Sequence, residues 1–229
     1  DTTPPRKVRI LIVPLASSEG PEACEATRAD FQAALTAEDS DDPMLPGRVS
    51  IGCAPPGLQT ETLAAEAKKS VETAAALFFT GGDQVRLMET LEAAKLTNLI
   101  RNPNPKGLPV GGTSAGLAVL SEVMLTGAGD FTVIDPDAVE TRKGLDLAQG
   151  AIFDQHFLKR QRLNRLLSAL QGNARLVGVG VDEDVSASLT ADGKLTVLSQ
   201  GNVMVVRPIA LDPRRFNLRL LYKGDWIKL

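Results

Sequence analysis

Histidine and cysteine are scarce in this chain: it has one histidine, His156, and two cysteines, Cys24 and Cys53. Protein zinc sites take three or four His, Cys or carboxylate ligands at characteristic spacings, and no C-x-x-C or Cys/His spacing of that kind occurs. Two cysteines do not make a disulfide framework, so we expect a pair of buried or idle thiols. The sequence predicts no metal site and no other cofactor.

Long apolar runs and excess charge are also missing. No run approaches the roughly 20 apolar residues that a membrane-spanning helix needs. The net charge is only -3 over 229 residues, which gives no reason to expect a nucleic acid or a membrane as partner. The chain begins Asp1-Thr2-Thr3, with no initiator Met and no signal peptide, so we expect a processed or trimmed product, either cytoplasmic or secreted.

Apolar runs of strand length alternate with stretches of helical spacing along most of the chain. The expected strands are Val8–Leu15, Val49–Cys53, Ala75–Phe79, Pro109–Gly112 and Val177–Val181, and the expected helices are Glu22–Leu35, Thr60–Thr73, Val85–Ile100, Ala115–Leu125 and about Arg160–Leu170. Such alternation predicts an α/β fold, with a mostly parallel central sheet flanked by helices in a single domain over residues 1–229.

The remaining segments are expected to be loops and short strands. Glu38–Gly47, Asn102–Gly107 and the polar stretch Gly127–Gly150 are typical of surface loops. A C-terminal antiparallel extension is predicted, with a meander over Ser186–Leu189, Leu195–Ser199 and Val203–Val206 and an edge strand at Leu218–Tyr222.

Gly112-Thr113-Ser114-Ala115-Gly116 is the strongest local signal for chemistry. It fits G-x-S-x-G, the pattern of a nucleophilic serine on a strained turn between a strand and a helix. The small flanking residues avoid clashes there, and the backbone N–H of Ala115 is placed to stabilise an oxyanion. A glycine-rich turn without chemistry is the other interpretation of the same pattern.

A nucleophilic serine needs a base, and His156 is the only histidine that the chain offers. It follows an apolar run and precedes a helix, which places it at the C-terminal edge of the predicted sheet, where sites gather. The turn Thr80-Gly81-Gly82-Asp83-Gln84 also follows a strand, so the N–H of Gly82 is a candidate second oxyanion donor. Either Glu183 or Asp130 supplies the carboxylate that orients the imidazole.

Three arginines, Arg160, Arg162 and Arg165, begin four residues after His156. A guanidinium binds a substrate carboxylate through two parallel hydrogen bonds, so at least one of them is a candidate clamp. A solvated helix face would carry the same charge run. On one helix, Arg162 and Arg165 would share a face and Arg160 would not.

Taken together, the motifs resemble those of the cyanophycinases, in the serine peptidase family that also contains the aspartyl dipeptidases (peptidase E). The resemblance runs from Arg9 to Val206. Its motifs are Phe79-Thr80-Gly81-Gly82-Asp83-Gln84, Gly112-Thr113-Ser114-Ala115-Gly116, Asp154-Gln155-His156-Phe157 with the three arginines, and Gly180-Val181-Asp182-Glu183-Asp184.

That resemblance implies a three-layer fold like that of class I glutamine amidotransferases and a homodimer. It implies an exopeptidase that releases β-Asp-Arg from cyanophycin, a poly-aspartate with arginine on each β-carboxyl group, or that acts on a related Asp-containing peptide. By position, Ser114 is the nucleophile and His156 the base. We prefer Glu183 over Asp130 as the acid because it follows a strand. The implied substrate pocket consists of Gln84, Asp154, Gln155, Arg160, Arg162 and Arg165.

Two other functions compete with this one. An aspartyl dipeptidase acting on α-linked Asp-X peptides would use the same arginines for an aspartate carboxylate, and a binding protein on the same fold would lack turnover. One departure from the family pattern stands out. The family has a strand and a glycine-rich loop before the strand that corresponds to Val8–Leu15, whereas only seven residues precede Val8 here.

Overall fold

The computed structural model describes residues 8–36, 48–101, 107–210 and 212–229. The chain has an α/β fold and divides into two compact units, Asp1–Gly116 and Leu117–Leu229, called here the N-terminal and the C-terminal unit. The expected loops at Glu38–Gly47 and Asn102–Gly107 lie almost entirely outside the described residues. None of the helices in the described ranges is both long and apolar enough to cross a membrane.

A four-stranded parallel sheet forms the centre of the N-terminal unit, with the strand order β2-β1-β3-β4. The strands are short and apolar, and Leu11, Ile12 and Phe79 are fully buried. The elements are β1 (Val8–Val13), α1 (Gly20–Thr36), β2 (Val49–Cys53), α2 (Glu61–Thr73), β3 (Ala76–Phe79), α3 (Gln84–Ala93), α4 (Thr97–Arg101) and β4 (Val110–Gly112). The expected strands and the first two expected helices of this unit are confirmed.

The single helix expected over Val85–Ile100 is wrong, because the chain forms α3 and α4 with a break between them. Lys95 takes a left-handed conformation with φ of 56°, and the N–H of Leu96 bonds to the carbonyl of Leu91 at 2.9 Å. Both features are typical of a helix C-terminus, where glycine is the usual residue. Because the residue here is lysine and not glycine, the sequence did not indicate that the helix ends at this point.

The prediction of two free thiols is also wrong. Cys24 on α1 and Cys53 at the end of β2 form a disulfide with a Cα–Cα distance of 6.1 Å. The bond ties the first helix of the N-terminal unit to the edge strand of its sheet. Sequence spacing could not reveal it, because the two residues meet only when α1 packs beside β2.

The C-terminal unit contains two larger sheets and a hairpin. One sheet has the order β12-β11-β8-β7, in which only β7 and β8 are parallel, and another has the antiparallel order β13-β10-β9. Its elements, beginning with a helix shared with the first unit, are α5 (Ala115–Ala118), β5 (Val123–Gly129), β6 (Val139–Lys143), β7 (Ala151–Gln155), α6 (Leu163–Gly172), β8 (Val177–Val181), β9 (Ala187–Leu189), β10 (Lys194–Val197), β11 (Asn202–Ile209), β12 (Asp212–Tyr222) and β13 (Trp226–Lys228).

Two expectations about residues 115–150 are overturned. The helix predicted over Ala115–Leu125 ends at Ala118, and the predicted loop over Gly127–Gly150 contains strand β6, which pairs with β5. Met124 and Leu125 are buried in β5, so their apolar pattern reflects a half-buried strand and not a helix face.

Two further boundaries change in the C-terminal unit. Helix α6 starts at Leu163 and not at Arg160, so two of the three arginines precede it. The predicted meander does not form as one sheet: β9 and β10 pair with each other, but β11 pairs with β8 and β12. The edge strand predicted at Leu218–Tyr222 is confirmed as the end of the longer β12.

Glycines on β8 allow close packing against one face of its sheet. A Cβ atom at Gly178 would lie 2.9 Å from a methyl carbon of Leu170 on α6, and one at Gly180 would collide with the ring of Phe157. Helix α6 and Phe157 therefore approach the strand backbone closely. Phe157, the residue after His156, is only 1% exposed, so its burial anchors the chain directly after His156.

We predict that breaking the disulfide destabilises the N-terminal unit without blocking its fold. The bridge spans 29 residues, and closing a loop of that length stabilises a protein by roughly 3–4 kcal/mol in the chain-entropy description. Cys24→Ala with Cys53→Ala should lower the free energy of unfolding by about that amount in urea titrations. A reductant should lower the stability of the native chain equally and leave the double variant unchanged; an effect of reductant on the variant would contradict this origin.

Candidate active site

Ser114 lies on a strained turn between β4 and α5. Its φ is 52°, a left-handed conformation that residues with a side chain seldom adopt. Cβ atoms at Gly112 and Gly116 would collide with the backbone of Gly116 and with the carbonyl oxygen of Phe79, respectively. Glycine is therefore required on both sides of the serine, and this is the geometry that the G-x-S-x-G pattern predicts.

The second glycine turn lies beside Ser114 in the same unit. A Cβ atom at Gly81 would be 3.4 Å from the Cβ of Ser114. Gly82 has a φ of 139°, and a side chain there would strike the carbonyl oxygen of Ala16. Asp83 accepts hydrogen bonds from the N–H groups of Val85 and Arg86 at 2.8 and 3.1 Å, which caps α3.

The remaining candidates of the N-terminal unit begin the two helices next to these turns. Gln84 is the first residue of α3 and is 7% exposed, and Ala115 is the first residue of α5 and is fully buried. Gly82 and Gln84 follow Gly81, which lies beside Ser114, and Ala115 directly follows Ser114 in the chain. Backbone N–H groups at helix starts are suited to stabilising negative charge.

His156 follows β7 in the C-terminal unit and is also held in a left-handed conformation, with φ of 49°. Its Nδ1 lies 3.0 Å from Oε1 of Glu183, which follows the neighbouring strand β8. A carboxylate only accepts hydrogen bonds, so this contact places the imidazole proton on Nδ1 and leaves Nε2 as the basic nitrogen. The pair has the arrangement that a general base and its orienting acid require.

Asp130, the other candidate acid, follows β5. Its Oδ1 accepts hydrogen bonds from the hydroxyl and the N–H of Thr132 at 2.6 and 2.9 Å. These bonds, the hydroxyl contributing most, hold the pKa of the Asp130 carboxyl below its usual value. The Asp130 carboxylate therefore stabilises the turn between Asp130 and Thr132.

Asp154 on β7 and Arg165 on α6 form a buried ion pair. Asp154 is 1% and Arg165 2% exposed. Nε of Arg165 donates to Oδ2 of Asp154 at 2.7 Å and Nη2 donates to Oδ1, while the guanidinium also lies 5.2 Å from the centre of the Phe131 ring. Burial raises the pKa of the Asp154 carboxyl, and the hydrogen bonds and charge of Arg165 oppose that rise.

The other two arginines differ from Arg165 and from each other. Nη1 of Arg162 donates to the backbone carbonyl of Gln155 at 2.7 Å and to its side-chain oxygen. Burial, followed by the nearby charge of Arg165, lowers the pKa of Arg162 to about 10. Arg160 is exposed. The three predicted carboxylate-binding side chains thus range from buried to exposed.

Sequence reasoning did not find the mutual pairing of Asp154 with Arg165 and of Gln155 with Arg162. A carboxylate and an amide at the end of a strand, followed by arginines, are as typical of a substrate pocket as of side chains that pair with one another. The one available signal was position, since Asp154 lies within an apolar strand where an unpaired charge would be costly. Asp182, which binds two backbone N–H groups, was also missed.

Comparison with known proteins finds a family and several relatives. The model of peptidase family S51 matches residues 48–197. The cyanophycinase of Nostoc sp. is 39% identical over 147 residues, which cover 64% of this chain and 49% of that protein. The cyanophycinase of Synechococcus elongatus is 41% identical over 133 residues, covering 58% and 41%. The chain therefore spans about half the length of the curated relatives it matches.

A solved structure of a peptidase from an acI-B1 Actinobacterium shares the fold. It superimposes with a TM-score of 0.66 at 20% identity and covers 96% of this chain and 83% of the other. At that level of identity the likeness is one of fold alone.

We predict that Arg165→Ala costs far more stability than Arg160→Ala. Removing Arg165 takes both hydrogen bonds from the buried Asp154 carboxylate and leaves only Arg162, 3.8 Å away, as counter-charge, which should cost up to about 3–5 kcal/mol. Arg160 is exposed, so its loss should change the free energy of unfolding by no more than about 0.5 kcal/mol. Chemical denaturation of both variants measures the difference, and equal stabilities would show that the pair contributes nothing to the fold.

Proposed function

Because the chain belongs to peptidase family S51, we propose that it is a serine-type exopeptidase acting on cyanophycin, multi-L-arginyl-poly-L-aspartate. The products would be β-Asp-Arg dipeptides, released through an acyl-enzyme. The relatives named cyanophycinase, at 39% and 41% identity, support the substrate. The observation that carries the chemistry is the 3.0 Å contact between His156 and Glu183 in a chain with one histidine.

In the proposed mechanism Ser114 attacks the scissile backbone carbonyl of the polymer. Nε2 of His156 takes the hydroxyl proton as the new C–O bond forms, and Glu183 stabilises the resulting imidazolium through Nδ1. The backbone N–H groups of Gly82 and Ala115 stabilise the negative charge on the carbonyl oxygen. The strained turn at Ser114, with φ of 52° between a strand and a helix, supports its assignment as nucleophile.

The two halves of the reaction share the same base. When the tetrahedral intermediate collapses, the C–N bond breaks and the imidazolium of His156 gives its proton to the leaving amine. A water molecule then attacks the ester of Ser114 while His156 takes a proton from that water. The C–O bond to Ser114 breaks, the imidazolium returns the proton to the serine oxygen, and the product leaves as a carboxylic acid. The acid assigned here is Glu183, and Asp130 is left outside the mechanism because its carboxylate binds Thr132.

Recognition of the substrate is assigned in part to Arg160. It is the exposed member of the three arginines, so its guanidinium is accessible to a free carboxylate of the polymer. Arg162 and Gln84 are proposed to bind the substrate as well. Asp154, Gln155 and Arg165 are proposed to support the substrate-binding residues, since Asp154 binds Arg165 and Gln155 binds Arg162.

We also propose that the enzyme is a homodimer and works outside the cytoplasm. Exposed apolar side chains at Leu218, Leu220 and Tyr222, which alternate along edge strand β12, support self-association. The Cys24–Cys53 bond supports an oxidising compartment, where disulfides persist. Sedimentation measures the first property, and thiol titration of freshly isolated protein measures the second.

We predict that Ser114→Ala abolishes hydrolysis while the fold persists. Loss of a triad nucleophile reduces kcat on the order of 10⁴- to 10⁶-fold. The assay is the release of β-Asp-Arg from cyanophycin, identified by mass, with α-linked Asp-X dipeptides as the comparison substrate. Ser70→Ala, in α2, is the matched control and should keep full activity. Near-normal turnover by Ser114→Ala would exclude the serine mechanism, and preference for the dipeptides would favour an aspartyl dipeptidase.

We predict that Arg160→Ala lowers kcat/KM about 10- to 100-fold without loss of stability. A charge-assisted hydrogen bond to a carboxylate is worth about 1.5–3 kcal/mol, which corresponds to that range. Arg160→Lys should recover only part of the loss, because lysine lacks the planar fork of donors. Substrate whose free carboxylates, on the arginine residues and the chain terminus, are blocked as amides should be cleaved equally by the variant and the native enzyme. An unchanged kcat/KM on free cyanophycin would return Arg160 to the solvated surface.

A further inference from the structure

Asp182 links the loop that carries His156 to the loop that carries Glu183. It is the first residue after β8, directly before Glu183. Its Oδ1 accepts a hydrogen bond from the N–H of Lys159 at 3.1 Å and another from the N–H of Glu183 at 3.0 Å. One carboxylate oxygen thus binds the backbone on both sides of the imidazole–carboxylate contact.

The Lys159 bond continues a series of links between these two chain segments. Strands β7 and β8 pair in parallel up to Gln155 and Val181, and the N–H of Phe157 then bonds to the carbonyl of Val181 at 3.3 Å. Beyond that point the backbone ladder ends. The Asp182 side chain takes the place of the next backbone acceptor, so the turn after His156 stays attached to the neighbouring loop.

Both loops need such a restraint because their backbones are strained. His156 has a φ of 49° and Asp184 a φ of 59°, which are sparsely populated conformations for residues with a side chain. Strained residues persist only where the surrounding contacts fix them. His156 and Glu183 are partly exposed, with 23% and 37% of their side-chain surface accessible, so packing alone does not hold the imidazole and the carboxylate in register.

We infer that Asp182 is a positioning residue of the active site. Its Oδ1 fixes the separation of the two loops through the N–H groups of Lys159 and Glu183, and so keeps Nδ1 of His156 within hydrogen-bond reach of Glu183. The expected effect on kcat rests on the proposed function. The expected single tautomer of the imidazole is independent of that function.

Three variants separate the hydrogen bonds from the charge. Asp182→Ala removes the acceptor oxygen, whereas Asp182→Asn removes the charge but keeps an oxygen that accepts both bonds. Asp184→Asn is the matched control, since it removes a negative charge two residues away and asparagine tolerates positive φ. Thermal melting of each variant records the change in overall stability.

The single histidine gives a readout that is independent of activity. In protein labelled with ¹⁵N-histidine, long-range ¹H–¹⁵N spectra at pH about 8.5, where free imidazole is neutral, report only the His156 ring. The native protein, Asp182→Asn and Asp184→Asn should show one tautomer with the proton on Nδ1. Asp182→Ala should show exchange-averaged nitrogen signals from both tautomers.

Kinetics on cyanophycin give the second readout. We expect Asp182→Ala to lower kcat about 10- to 100-fold with KM within about twofold, because misplaced catalytic groups slow the chemical step more than binding. Asp182→Asn should recover most of kcat. Absence of hydrolysis by the native protein would contradict the proposed function alone, since the tautomer spectra would still decide the role of Asp182.

Four results would overturn the inference. The first is a native imidazole without its proton on Nδ1, and the second is a single unchanged tautomer in Asp182→Ala. The third is an equal loss of kcat in Asp182→Ala and Asp182→Asn. The fourth is a lower melting temperature in Asp182→Ala without any change in kcat or in the tautomer. The last would leave Asp182 as a residue of the fold only.

Discussion

The buried pair of Asp154 and Arg165 is the constraint on which the C-terminal unit depends. A carboxylate that is 1% exposed inside a strand requires a counter-charge, and Arg165 supplies two hydrogen bonds from helix α6. That bond fixes where α6 begins relative to β7, and hence the path of the seven residues between Gln155 and Leu163. His156 lies at the start of this path and Phe157 is anchored over Gly180 directly after it.

Ser114 and His156 share a left-handed backbone conformation with five other non-glycine residues of the described chain, Gln161 and Asp184 among them. His156 comes directly after a parallel strand, and Ser114 follows the end of another with one residue between. Elsewhere in these loops the backbone is bonded to its neighbours, as in the bond from the N–H of Thr113 to the carbonyl of Phe79 at 3.1 Å. Rigid, hydrogen-bonded surroundings are what allow a strained side chain to stay in place.

The sequence predicted those features that local chemistry determines. Short apolar strands such as Val49–Cys53, and the glycines around Ser114, follow from sterics and burial within a few residues. Features that depend on distant partners were missed. Lys95 ends a helix without a glycine, β5 becomes a strand only because β6 pairs with it, and Asp154 has the same local context whether it binds Arg165 or a substrate. The roles of single polar residues therefore depend on partners that only the folded structure reveals.

The Cys24–Cys53 bond has a consequence for how the N-terminal unit would respond to proteolysis. The bridge closes a covalent ring that includes all the residues between α1 and β2. A single peptide cut inside that ring converts it into two chains that are still joined through sulfur, and α1 stays tethered to the sheet. Such a nicked protein would migrate as one piece on a non-reducing gel and as two pieces after reduction.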